Sequence, residues 1–181
     1  MVYMFLADGF EEIEAITPLD ILRRAGIAVT TVAITPESRT VTGARSIGVV
    51  ADTHYSEANT SDARMLILPG GMPGTDNLNS SDWVKAQIKT AAAADTYIAA
   101  VCAAPLVLGS MGLLNSKRAV CFPGYEQELI GAILTDDQVV IDDNIITAKA
   151  AGTAAEFGFA LVGVLKDTQT AEEIREKMFF V

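Results

Sequence analysis

The sequence predicts an α/β domain, a mostly parallel sheet with helices on both faces. Short β-rich runs alternate with helical patterns along the 181 residues, the arrangement that builds parallel sheets through helical crossovers. Several of those runs are apolar throughout, as strands covered on both faces must be. Half the residues are hydrophobic and a fifth charged, enough to bury a sizeable core in one domain over residues 1–181.

The first strand is expected at "VYMFLA" (2–7), followed by a helix over "EEIEAITPLDILRRAG". That stretch opens on acids and closes on arginines and a glycine, as the helix dipole and a C-cap prefer. Its Pro18 should kink the helix or interrupt its hydrogen bonding. "AVTTVAI" (28–34) gives the next strand, and "TVT" and "IGVVA" around "GAR" read as a small hairpin appended to the sheet. "RMLILP" (64–69) is a strand, and "SSDWVKAQIKTAAAA" is a helix that starts on good capping residues. "TYIAAV" (96–101) leads into the short helix of "AAPLVLGSMG". Strands at "AVCF" (119–122), "QVVI" (138–141) and "IITA" (145–148) precede helices in "GTAAEFGFALVGVLK" and "TAEEIREKM".

Composition excludes several function classes. A formal net charge of −10 without a Lys/Arg cluster argues against nucleic-acid binding. One histidine and two distant cysteines give no transition-metal spacing and no disulfide framework. Free thiols suit a reducing cytoplasm. No apolar run reaches the ~18 to 20 residues of a membrane span, and the acids after "MVYMFLADGFEE" fit a first strand better than a secretory signal.

Three stretches carry candidate chemistry. Cys102 ends the strand of "TYIAAV" just before a helix, the geometry of a nucleophile elbow, where ligands of such sheets bind. Small neighbours allow a tight turn, Pro105 suits a first helical turn, and a helix N-terminus favours a thiolate. Position alone leaves a second reading open, a small buried hydrophobe. Cys121, inside a strand, reads as a packing residue. In "LPGGMPG" (68–74), Gly70 and Gly71 either make an ordinary turn or aim backbone N–H groups at an oxyanion or oxidised sulfur. It is neither a Walker loop nor a dinucleotide fingerprint, so no phosphate cofactor is expected. In "DGFEEIEA", helical periodicity puts Glu11 or Glu14 over the apolar face and Glu12 toward the polar side. All three also suit an acidic first turn.

Together "FLADGFEEIEAITPLDILRRAGIAV", "LILPGGMPGTDNL", "IAAVCAAPLVL" and "ITAKAAGTAAEFGFALV" resemble the ThiJ/PfpI superfamily, in the branch of the Parkinson-disease-associated deglycase and bacterial YajL. The likeness runs through nearly the whole chain in order. It implies a flavodoxin-like three-layer sandwich, a homodimer without cofactor or metal, and a reactive Cys102 with Glu14 as its carboxyl partner. Gly70, Gly71 and Ala103 would supply backbone donors. Arg24 and Arg45 match arginines lining a cleft near the dimer interface in relatives, a candidate anion cleft here; the alternative is that each is a solvated surface side chain.

Two departures bear on activity. Peptidase members carry histidine directly after the elbow cysteine, where this chain has Ala103, and relatives of the deglycase branch often have histidine where it has Phe122. The remaining histidine, His54, reads as a surface loop residue. Peptide hydrolysis is therefore not expected. The resemblance implies instead a cytoplasmic stress-response enzyme of deglycase or glyoxalase type, acting on a small carbonyl substrate or glycated adduct. A redox sensor or chaperone worked by oxidation of Cys102 to sulfinate is the alternative. A role in thiamine-thiazole metabolism, which the family name suggests, has no residue pattern behind it.

Overall fold

A computed structural model of the chain describes residues 1–180. Along it run β1 (Val2–Leu6), α1 (Glu12–Arg24), β2 (Val29–Ala33), β3 (Thr40–Thr42), β4 (Gly48–Val50), β5 (Thr53–His54) and β6 (Met65–Leu68). Then come α2 (Gly74–Ser80), α3 (Asp82–Ala93), β7 (Tyr97–Val101), α4 (Pro105–Ser110), β8 (Arg118–Ala119) and β9 (Ile133–Leu134). The chain finishes with β10 (Val139–Asp142), β11 (Ile145–Ala148), α5 (Ala154–Leu165) and α6 (Thr168–Lys177).

Seven strands form the main sheet in the order β10-β11-β7-β6-β1-β2-β5. Its parallel body, β2-β1-β6-β7-β11, has the 2-1-3-4-5 order of a flavodoxin-like fold. β5 extends it in parallel beside β2, and β10 closes the other edge antiparallel to β11. Alternate side chains of β1 divide between two cores, as the strand period requires. Val2, Met4 and Leu6 pack with α1, α5 and α6, whereas Tyr3 and Phe5 pack with α2, α3 and α4. Both faces are thus covered, and the uniformly apolar strand sequences follow from that. No helix among the described residues is long and apolar enough to cross a membrane.

Local signals explain most element ends. Ser81 accepts a hydrogen bond from the Val84 N–H at the start of α3, and Asp167 does the same for Thr170 at the start of α6. α1 runs through the buried Pro18, which lacks the N–H its turn would otherwise donate. Gly158 of α5 lies against that point, where an added Cβ would stand 3.1 Å from Pro18 Cα.

Four expectations need correction, and one element, α2, was not foreseen. The hairpin of β3 and β4 is a separate two-stranded sheet, not an appendage of the main one. The strand expected over 119–122 stops at Ala119, because the Val120 N–H turns to Thr147 Oγ1 and the Phe122 N–H to the Cys102 carbonyl. Cys121 is buried beyond the strand rather than within it. α2 is built from weak helix formers and has no sequence signal; buried Thr75 and Leu78, with an Asn77 side-chain bond to the Asp8 carbonyl, hold it in place. Finally, His54 sits in β5, not in a loop, with Nε2 2.8 Å from the Thr35 carbonyl.

Candidate active site

Sheets of this topology open a crevice where the strand order reverses, here between β1 and β6. Three connections meet at that crevice from the carboxyl ends of their strands. β1 leads into α1 with its acids, β6 into the Gly70–Gly71 turn, and β7 into Cys102.

Cys102 occupies the left-handed region with φ 63°, a conformation that costs a non-glycine residue on the order of 1 to 3 kcal/mol. The surroundings hold it there. Its N–H donates to the Ala148 carbonyl at 2.9 Å and its carbonyl accepts from the Phe122 N–H at 2.8 Å. Those two bonds tie the turn to β11 on one side and to the segment after β8 on the other. The side chain, half-buried, is presented at the top of the sheet, as the elbow reading expects.

Glu14 is the acid that faces the cysteine, which resolves the choice periodicity left open. It is 1% exposed, hydrogen-bonded to the Cys102 thiol and accepts the Gly70 N–H at Oε2, 3.0 Å away. Burial, the largest cause, and the neighbouring Glu11 charge push its carboxyl up to about 7, against the pull of those hydrogen bonds. The backbone N–H groups of Gly71 and Ala103 lie beside the Cys102 thiol and favour its ionised form.

The expectation that a helix N-terminus favours the thiolate meets a stronger opposing effect. Desolvation first, then the Glu14 charge, push the Cys102 thiol up to about 12. α4 has only six residues, so its dipole offsets little of this. A carboxyl that keeps its proton removes the opposing charge and donates to sulfur instead. The thiolate therefore belongs to the state in which Glu14 is protonated.

The thiol opens into a cavity of about 500 Å³ bordered by Glu11, Glu14, Arg45, Met72, Phe122 and Tyr125. Arg45 is brought to it by the hairpin loop, with its guanidinium 3.8 Å from Glu11. Arg24 is not. It lies ten residues beyond Glu14 on α1, roughly 15 Å along the axis, and pairs with Asp20 at 2.6 Å. Of the three expected backbone donors, Gly70 has its N–H engaged by Glu14, leaving Gly71 and Ala103 beside the thiol. Glu12 overturns its polar-side reading: it is 7% exposed and accepts the Arg45 N–H at 2.7 Å and the Ile47 N–H at 3.4 Å, fastening the hairpin to α1. Met72 and Tyr125 went unnoticed because both lie on loops, where periodicity carries no information. Among the described residues no group of three or more His, Cys, Asp or Glu side chains is arranged to hold a metal ion.

The Glu14 shift makes stability depend on pH. A carboxyl raised from 4.5 to about 7 binds its proton more tightly in the folded chain. Its contribution is therefore complete below pH 4.5 and is lost as pH rises through about 7. The difference in unfolding free energy between the native chain and Glu14→Gln should fall by roughly 3 kcal/mol between pH 4.5 and 8. Urea titrations at both pH values measure it, and an unchanged difference would mean that folding leaves the proton affinity of Glu14 unaltered.

A sequence profile of the DJ-1/PfpI family matches residues 1–163. Protein DJ-1 homolog B of Arabidopsis thaliana is 35% identical over 158 residues, 87% of this chain, which spans only 36% of that relative. The glutathione-independent glyoxalase DJR-1.2 of Caenorhabditis elegans is 31% identical over 166 residues, covering 91% of this chain and 87% of that protein. The crystal structure of a DJ-1 superfamily protein from Salmonella typhimurium superimposes with a TM-score of 0.93 at 36% identity, over 99% of this chain and 98% of that one.

Proposed function

The chain belongs to the DJ-1/PfpI family, and on that premise we propose that it is a cysteine-dependent enzyme of glyoxalase or deglycase type, acting on 2-oxoaldehydes or their adducts. The observation that carries this reading is the buried Glu14 carboxyl, raised to about 7 and hydrogen-bonded to a cysteine that opens into a cavity. A carboxyl near neutrality can both give and take a proton at working pH, which a general acid–base group must do. The relative named as a glutathione-independent glyoxalase supports the same chemistry.

The reaction needs no outside oxidant. The Cys102 sulfur adds to the aldehyde carbon, and the former aldehyde oxygen takes a proton from Glu14, giving a hemithioacetal. Glu14, now a carboxylate, removes the hydrogen on that carbon to give an enediolate and returns a proton to the adjacent carbon, while the hydroxyl proton of the first carbon passes to the oxygen of the second. The first carbon is thereby oxidised and the second reduced, leaving a thioester of a 2-hydroxy acid. Water cleaves the thioester and restores the thiol, so that one 2-oxoaldehyde and one water become one 2-hydroxy acid. The Gly71 and Ala103 N–H groups, beside the sulfur, lie close enough to support the negative oxygen. Peptide hydrolysis lacks its usual base, because Ala103 follows Cys102 and His54, on β5 at the edge of the sheet, does not line the cavity.

The protein would work in a reducing cytoplasm, where the free Cys102 and Cys121 persist, and as a homodimer. Ile13 and Ile16 on α1 and Ile47 and Val50 on the hairpin are exposed apolar side chains of the kind a second copy would cover.

Turnover and thiol reactivity separate the roles of the pair. Glu14→Gln should remain open to alkylation at Cys102 by iodoacetamide yet lose at least about 100-fold in methylglyoxal turnover. Retained turnover would remove Glu14 from the proton transfers. A second reading, the redox sensor, draws on the same N–H groups at sulfur, which would equally hold sulfinate oxygens. It predicts no turnover in the native chain and partner binding that appears only after oxidation.

A further inference from the structure

Two large apolar side chains at the cavity are left exposed. Phe122 is 43% exposed and Met72 40% exposed, and both border the cavity that holds Cys102. They approach from opposite loops, Met72 directly after Gly71 and Phe122 from the segment after β8. Tyr125 sets its ring edge-on to Phe122, with centroids 6.4 Å apart.

The loop carrying the two rings is fixed rather than free. The Phe122 N–H donates to the Cys102 carbonyl at 2.8 Å, and the Tyr125 N–H donates to the Phe122 carbonyl at 3.2 Å. Within it, Gly124 takes φ 100°; its N–H donates to Glu126 and its carbonyl accepts from Gln127. The Phe122 ring is thus held one backbone hydrogen bond from the nucleophile. Large apolar side chains left this open at a reactive group are informative, because scattered exposure elsewhere needs no explanation and exposure at a site usually does.

Cavity size points the same way. Methylglyoxal has only five non-hydrogen atoms and leaves most of about 500 Å³ unfilled. Pockets of this volume ordinarily enclose much larger ligands, held mainly by apolar walls. Resting on the glyoxalase reading above, we propose that Phe122, with Met72 and Tyr125, is a specificity determinant selecting 2-oxoaldehydes that carry an aromatic or bulky apolar substituent. The aldehyde carbon reaches Cys102 on the floor while the substituent lies between Phe122 and Met72 at the mouth. The chemistry is unchanged: phenylglyoxal and water give mandelic acid, as methylglyoxal and water give lactic acid.

The test compares kcat/KM for phenylglyoxal and methylglyoxal in the native chain, Phe122→Ala and Phe122→Leu. The phenylglyoxal-to-methylglyoxal ratio should fall about tenfold in Phe122→Ala, the loss expected for uncovering part of a ring-sized apolar contact, and recover in part in Phe122→Leu. A ratio within about twofold of native in Phe122→Ala would overturn the proposal. A second readout does not depend on turnover. In a Cys121→Ser background, Cys102 is alkylated by iodoacetamide and by its N-phenyl derivative; in each case the sulfur–carbon bond forms and iodide leaves. The preference for the phenyl reagent should drop in Phe122→Ala. If neither aldehyde is turned over but that preference drops, the apolar clamp stands and its oxoaldehyde substrate is overturned along with the glyoxalase reading. If aldehydes are turned over and neither ratio moves, the glyoxalase reading survives and the clamp does not.

Discussion

Replacing Cys102 with serine or alanine is expected to lower methylglyoxal turnover by at least about 10³-fold. A serine hydroxyl at this position has no imidazole to take its proton, since Ala103 follows it and His54, on the edge strand β5, does not line the cavity. A hydroxyl is also a far weaker nucleophile near neutrality than the thiolate that Cys102 supplies when Glu14 holds the proton. Cys121→Ser is the matched control. That thiol is buried and pushed up to about 11, by desolvation first and then by the Glu126 charge, so its loss should leave turnover within about twofold. Lactate formation followed by NMR reads both variants. Turnover in Cys102→Ser within tenfold of native would mean that the aldehyde is transformed without the elbow sulfur.

The second large effect is expected from Gly70→Ala. An added Cβ would stand 2.6 Å from Glu14 Oε2, 2.7 Å from Cys102 Cβ and 2.8 Å from the Val101 carbonyl oxygen. Two of those atoms are fixed by the backbone of the elbow, so the turn itself must move. Overpacking of this kind costs about 1 to 3 kcal/mol, and a displacement near 1 Å at a reacting pair is worth about 100-fold in rate. Thermal unfolding and methylglyoxal kinetics on one preparation should show both losses. A variant with lowered Tm and intact kcat/KM would show that the Glu14–Cys102 contact tolerates displacement.

Gly70 also illustrates what one sequence can and cannot specify. The double glycine signals unusual dihedrals, and Gly71, at φ 91°, uses that freedom. Gly70 does not. It is small because a carboxylate, a cysteine Cβ and a carbonyl crowd the place a side chain would take, and those atoms come from α1 and the end of β7, remote in sequence.

The order and type of most elements could be read from residues alone, because apolar runs and helical periodicity are local signals. The same pattern marked Cys102 as lying between a strand and a helix, and resemblance to a family over nearly the whole chain singled out Glu14. Where local preference was weak, the reading failed. α2 forms from poor helix formers because Leu78 and Thr75 are buried, and β5 forms because β2 offers it a free edge. Both depend on partners distant along the chain.

By itself, then, the sequence determined the α/β class, the alternation that covers both faces of the sheet, and a cysteine at a strand-to-helix turn. Each follows from spacing within a few residues. Tertiary structure alone decided that Glu12 fastens the hairpin bearing Arg45, that Arg24 stays away, and that Phe122 and Met72 border the site, and it brought Glu14, which periodicity left level with Glu11, against the sulfur. It also set the proton affinities of the Glu14–Cys102 pair, because desolvation and the field of a neighbouring charge depend on how the folded chain excludes water and brings remote groups together.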